Sequence, residues 1–212
     1  ASAAPDALDG GFGDTRVIVG HPVGSNFIVP FSHIDPASGR PVYLLADGTE
    51  TFVYDVATNR QVVGDIIPDV VGGITNTFKY KDFDFSFLWT FSLGSNIYDD
   101  AAKRQLGVVT DWNMRTEVFD RWRQPGDANA TYPQLTMTML NWGGNDNFWQ
   151  NNSSLWLYDG SYARLKNLTL GYNYDVKNAK SPFDNIRVYF NATNILTFTK
   201  YPGWDPEVAR DR

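Results

Sequence analysis

The chain has 212 residues, a net charge of −6 at pH 7 and no cysteine. That acidic balance excludes a phosphate-reading nucleic-acid binder, which needs surplus Lys and Arg. The missing thiols exclude disulfides, thiolate metal sites and cysteine nucleophiles. No run of about 18 apolar residues is present, so no transmembrane helix is expected, while 14 Phe, 11 Tyr and 7 Trp suit pleated sheets and membrane–water interfaces.

Residues 1–15 are small, acidic and Gly-rich and read as a loop or frayed end. The chain opens at Ala1 without Met or signal peptide, and reads as a processed product or a segment of something longer. Residues 16–19 suit a short strand. From 20 to 68 the chain is punctuated by Pro22, Pro30, Pro36 and Pro41 and by Asp-Gly and Ser-Gly turns, with short strands expected at 42–45 and 51–54. Residues 1–70 together form a strand- and loop-rich lead-in.

A hairpin is expected over 71–93. Ile74, Asn76, Phe78 and Tyr80 share one face, and Lys81-Asp82 makes a tight turn. Then Phe83, Phe85, Phe87, Trp89, Phe91 and Leu93 share one face, against Asp84, Ser86, Leu88, Thr90 and Ser92. The run matches the roughly 9–11 residues that a tilted strand needs to cross a bilayer. Residues 94–160 read as one long extracellular loop, with a helical flavour over 116–122 and a Gly-, Asn- and Trp-rich stretch over 141–156. Residues 161–196 carry a strand pair. Leu168, Leu170, Tyr172 and Tyr174 line one face of its first strand, and Ile186, Val188, Phe190 and Ala192 one face of its second. Residues 197–212 read as an irregular extracellular loop.

These alternations fit two architectures. In a soluble β-sandwich the aromatic faces would form the core, but a core needs large and small side chains to interlock at native density. A face made almost wholly of large rings suits fluid lipid, so Phe83, Phe85, Phe87, Trp89 and Phe91 are assigned to lipid. A charge at the middle of a lipid face would cost roughly 2–4 kcal/mol, and none sits there. Arg164 and Lys166 share the parity of Leu168, near a strand end where they can snorkel. Short turns lie on the periplasmic side of outer-membrane barrels. With Lys81-Asp82 placed there, the strands alternate in direction consistently. The expected fold is all-β, an antiparallel transmembrane β-barrel segment with long extracellular loops in the bacterial outer membrane. More sequence or other chains must complete it, because lipid does not tolerate open strand edges.

Residues 159–172, Asp-Gly-Ser-Tyr-Ala-Arg-Leu-Lys-Asn-Leu-Thr-Leu-Gly-Tyr, closely resemble a signature near the end of SusC/RagA-type TonB-dependent outer-membrane transporters. Residues 194–207, Asn-Ile-Leu-Thr-Phe-Thr-Lys-Tyr-Pro-Gly-Trp-Asp-Pro-Glu, resemble the segment that follows it in that family. Residues 20–25, 72–84 and Asp120-Arg121-Trp122 match in order and approximate spacing. The resemblance implies a plugged barrel of about 22 strands, importing oligosaccharides or peptides under a SusD-like surface lipoprotein. It implies as partners the rest of the barrel and the plug, that lipoprotein, the TonB complex acting through an N-terminal part, the substrate and membrane lipid. The plug, the TonB-contacting segment and most strands are absent from this sequence, which reads as the C-terminal part of such a transporter.

Asp99-Asp100 and the pair Asp205 and Glu207 could be imagined as glycosidase acids, but adjacent acids in Gly- and Pro-rich loops are mostly solvated turn residues. His21 and His33 lack ligand spacing, and Asn145-Asp146-Asn147 lacks the full calcium-loop pattern. No catalytic residue, metal site or cofactor is expected. Trp142, Trp149 and Trp156, with Asn145, Asp146 and Asn151 as hydroxyl partners, are candidates for ligand contact in the long loop. The alternatives are that they pack the loop, sit at the membrane interface or touch the lid. The competing function is a soluble carbohydrate-binding β-sandwich.

Overall fold

The structure, a computed structural model, describes residues 15–106, 113–135, 152–177 and 182–207. In chain order the strands are β1 (Thr15–Arg16), β2 (Ser25–Ile28), β3 (Phe31–Ile34), β4 (Pro41–Leu44), β5 (Glu50–Thr51), β6 (Gln61–Asp65), β7 (Val70–Tyr80), β8 (Phe83–Leu93) and β9 (Asn96–Tyr98). Helix α1 (Asp100–Leu106), 3-10 turns at Thr116–Asp120 and Ser154–Trp156, and strands β10 (Leu157–Asp159), β11 (Tyr162–Asp175) and β12 (Asn185–Thr199) follow. The chain divides into two compact units, one drawn from residues 1–67 and 96–158, the other from Pro68–Ser95 and Asp159–Glu207.

The first unit holds small antiparallel sheets, β1-β2-β6 and β3-β4-β5, and the two-stranded β9-β10. Its core gathers Ile28, Tyr98, Ala102, Leu106, Tyr132 and Trp156. Helix α1 forms because Ala102 and Leu106 recur at the four-residue spacing of one helix face and are buried. Asp99 starts the helix: its Oδ1 accepts the amide of Ala102 at 2.8 Å, an N-cap. Asp100 ties down the exposed side through Arg104 at 2.8 Å, four residues on. Further along, the Trp122 indole donates to the Pro36 carbonyl at 2.9 Å and lies against Gly39. A side chain there would begin 2.6 Å from the ring. Much of the segment expected to be one long loop is therefore folded structure. Its short elements bury their apolar residues against the lead-in, a pairing that alternation within either segment alone does not reveal.

The second unit is a four-stranded antiparallel sheet, ordered β12-β11-β8-β7. Strands β7 and β8 are joined by Lys81-Asp82, with Tyr80 opposite Phe83 and Lys81 at φ 54°. Strands β8 and β11 pair directly although residues 94–161 separate them. Facing residues in a sheet project to the same side, so the register sorts the side chains. Ile74 faces Trp89 and Phe78 faces Phe85. Phe83, Phe85 and Phe87 face Tyr172, Leu170 and Leu168, which in turn face Val188, Phe190 and Ala192. The rings pack laterally, Phe78 on Phe85 with centroids 6.2 Å apart and Trp89 stacked on Phe198 at 6.0 Å. Phe91 lies over Gly72, where an added Cβ would meet the ring at 2.6 Å.

This aromatic face is not covered: Phe78, Val188 and Phe190 stay 55%, 65% and 62% exposed. A sandwich would have buried it under a second layer. The opposite face carries Thr75, Thr77, Asp84, Ser86, Asn173, Arg187 and Asn191, and is mostly polar, with Val71 and Leu88 among its apolar members.

Candidate functional site

Chemistry in the sheet is concentrated on the polar face, in two clusters. At the end near the Lys81-Asp82 turn, Asp84 reaches across β11 to β12. Its carboxylate accepts from Arg187 Nη2 at 2.7 Å and from Asn173 Nδ2 at 3.1 Å. Gly171 makes the reach possible, because a Cβ there would lie 2.6 Å from both carboxylate oxygens. A ladder continues up the face, with Asn191 Nδ2 donating to Thr169 Oγ1 at 2.8 Å and Thr169 Oγ1 to Asn167 Oδ1 at 3.1 Å.

The second cluster lies at the other end of β11. A register shift between Leu165 and Asn167 interrupts both pairings of this strand. Leu165 still faces Trp89 on the aromatic side, while Arg164 faces Thr90 and Thr197 on the polar side. Strand β12 accommodates the shift at Asn194, which takes φ 52°, a conformation that Asn tolerates better than most residues. The expectation that Arg164 and Lys166 snorkel from the lipid-side row is thus corrected. The β-bulge, one extra residue in the strand, reverses the parity of everything before it.

Arg164 is only 4% exposed. Its guanidinium donates to Thr197 Oγ1 at 3.0 Å, to Asp205 in a two-pronged contact and to Glu207 at 2.6 Å. Lys166 Nζ donates to both Glu207 oxygens, at 2.6 and 2.7 Å. The hydrogen bonds from Arg164 hold the Asp205 carboxyl below its usual range. Asp205 and Glu207 are both held by these cations and work as anchors of their loop. Asp99 is engaged as the helix cap and by Arg115 at 2.8 Å. Burial raises the Asp100 carboxyl, but hydrogen bonds from Lys103 and Arg104 outweigh it and the net shift is downward. His33 sits 3.3 Å from Glu50 on the surface. Among the described residues no group of three or more His, Cys, Asp or Glu gathers around a metal-sized space.

Of the loop residues singled out for ligand contact, Trp142, Asn145, Asp146, Trp149 and Asn151 lie outside the described residues. Trp156 is fully buried in the core of its unit, stacked on Tyr132 with centroids 6.0 Å apart. Beside it burial, followed by the hydrogen bond between the two phenols, pushes the Tyr158 hydroxyl well up. This indole packs the fold and offers no open face. Sequence reasoning missed the Arg164–Asp205–Glu207–Lys166 clamp and the Asp84–Arg187 pair. The available signal was two cations in a row otherwise assigned to lipid, which flags a register break.

No family model matches the chain. A TonB-dependent receptor of Formosa agariphila is 33% identical over 150 residues, covering 70% of this chain and 14% of that protein. The SusC receptor of Bacteroides thetaiotaomicron is 24% identical over 201 residues, covering 92% of this chain and 18% of that protein. The chain belongs to the SusC/RagA-type TonB-dependent receptors. A solved structure described as the RagAB peptide transporter superposes with a TM-score of 0.74 at 23% identity, over 92% of this chain and 21% of that one. The chain thus spans less than a quarter of the length of the proteins it matches. As a segment of a TonB-dependent receptor it is part of an outer-membrane β-barrel. Its four-stranded sheet has an exposed aromatic face, and both charge clusters lie on the opposite face.

Proposed function

We propose that this chain supplies strands and surface structure to an outer-membrane importer of oligosaccharides or peptides, energised through TonB and covered by a SusD-like lipoprotein. The observation that carries the reading is the two-faced sheet: an open aromatic side on strands of bilayer-crossing length, backed by a mostly polar side. Such strands need flanking strands to satisfy their edges in lipid, which fits a large plugged barrel of about 22 strands. With the Lys81-Asp82 turn on the periplasmic side, residues 94–160 and 197–212 face the exterior. There Trp142, Asn145, Asp146, Trp149 and Asn151 are proposed ligand contacts, aromatic faces and amides being suited to sugar rings and peptide backbones alike. No catalytic role is assigned.

The test uses the full-length receptor in its outer membrane. Deleting its gene should abolish energised uptake of either labelled oligosaccharides or labelled oligopeptides, whichever is the cargo, and a surface lipoprotein should co-purify with the detergent-extracted receptor. Unchanged uptake of both classes overturns the importer. Recovery of the protein as a monomer in detergent-free buffer would favour the carbohydrate-binding sandwich instead.

A further inference from the structure

The segment after β12 was expected to be a loop at the cell surface, yet its Asp205 and Glu207 are paired with cations of β11. Arg164 is on the polar side by register, facing Thr90 and Thr197, and it holds Asp205 and Glu207. Lys166 holds Glu207 as well, at 2.6 Å. The loop is also fastened at its base, where Thr199 Oγ1 donates to the Ser161 carbonyl at 2.9 Å and accepts the Tyr201 amide at 3.0 Å. Within it, Asp205 Oδ1 accepts the Glu207 amide at 2.9 Å, a turn that sets both carboxylates towards the cations. Pro202 and Pro206 fix two φ angles in the segment. The Tyr201 ring folds onto Gly203, where a Cβ would lie 2.3 Å from it.

We propose that residues 200–207 form an inward-folded loop that narrows the mouth of the barrel, and that Arg164 is the positioning residue that keeps it there. A loop held to the outer side of β11 would have to place its acids among Phe91, Phe198 and Ala163, the residues of the lipid-directed face. The clamp places them over the polar face, above the space through which cargo passes. The loop presents Trp204, fully exposed, at its tip. The bulge at Lys166 serves this arrangement: without it Arg164 would point into lipid. The proposal rests on the barrel's sidedness and, for cargo, on the importer reading above.

The test uses the full-length receptor in intact cells with Trp204→Cys as reporter. A small impermeant maleimide should label it readily, and a maleimide on a polyethylene-glycol chain too wide for the mouth should label it about tenfold more slowly, as a barrier of about 1.4 kcal/mol gives. Arg164→Gln should abolish that difference, and Arg164→Lys should keep most of it. Asp205→Asn with Glu207→Gln, changes outside the strands, should act like Arg164→Gln even if the latter variant fails to assemble. Equal labelling by both reagents in the parent, or an undiminished difference in the assembled charge variants, overturns the proposal. Uptake measured on the same cells is independent: a size-selective mouth in a receptor that imports nothing leaves the loop in place and removes only the importer reading.

Discussion

Replacing Phe87 by Arg should damage the receptor far more than replacing its neighbour Ser86 by Arg. Phe87 sits mid-strand on the aromatic face proposed to meet lipid, opposite Asn76 and Leu168. Its ring packs against Phe78 at 6.2 Å and Phe85 at 5.9 Å. An arginine near the bilayer midplane costs roughly 2–4 kcal/mol. Losing the ring contacts adds about 0.5–1.5 kcal/mol. The total, about 2.5–5.5 kcal/mol, is a large part of the stability of an ordinary domain. Ser86 faces Thr77 and Thr169 on the opposite face, proposed to meet water, where the same charge should change stability by only about 0.5 kcal/mol. Urea titration of the purified full-length receptor in lipid vesicles, followed by the shift between folded and unfolded bands on unheated gels, measures both. Equal loss in the two variants would refute the assignment of faces.

Trp156→Ala removes a fully buried ring from the core of the first unit and should cost about 3–5 kcal/mol. Proteolysis should then cut the receptor within residues 96–158, while Trp156→Phe should resist much better. Gly171→Ala forces a Cβ to within 2.6 Å of the Asp84 oxygens. It should break the contacts to Arg187 and Asn173 at a cost of about 1–2 kcal/mol by urea titration, whereas in an Asp84→Ser background, where those contacts are already gone, it should add little further loss. The depressed Asp205 carboxyl gives the clamp a pH dependence of known sign. Its stabilisation is present above the unfolded value of about 3.9 and disappears as pH falls through the lower folded value. Loop proteolysis should therefore stay slow at neutral pH and rise only in acid below about pH 4, and Asp205→Asn should flatten the profile.

The four long strands were legible in the sequence from their two-residue alternation, which runs through the whole of β8 and over shorter stretches of β7, β11 and β12. The turn at Lys81-Asp82 was equally plain. The bulge left only an indirect mark, Arg164 and Lys166 falling in a row otherwise assigned to lipid. Only pairing with Trp89 and Leu88 on β8 shows where the register slips. Helix α1 was hidden by its shortness, and Asp99-Asp100 were weighed as loop acids. Their spacing to Ala102 and Arg104, a cap three residues ahead and an ion pair four ahead, was the available signal. Trp156 was grouped with the loop tryptophans by composition. Its burial depends on Ile28 and Tyr132, contributed by segments far away in the chain. The clamp required knowledge of both the bulge and the fold of the tail, and neither is a local property.

The pairing of β9 with β10 bears on how the barrel assembles. Strands β8 and β11 must find each other across residues 94–161, and closing a loop of that length costs roughly 4 kcal/mol of chain entropy beyond a constant. Once β9 and β10 join, the ends of that excursion are already gathered, and the hydrogen bonds from Gly160 to Ser95 at 2.8 Å and from Gly94 to Ser161 at 3.0 Å can form as in a tight hairpin. The intervening residues can then lengthen, shorten or change sequence across related receptors without disturbing the stave they interrupt.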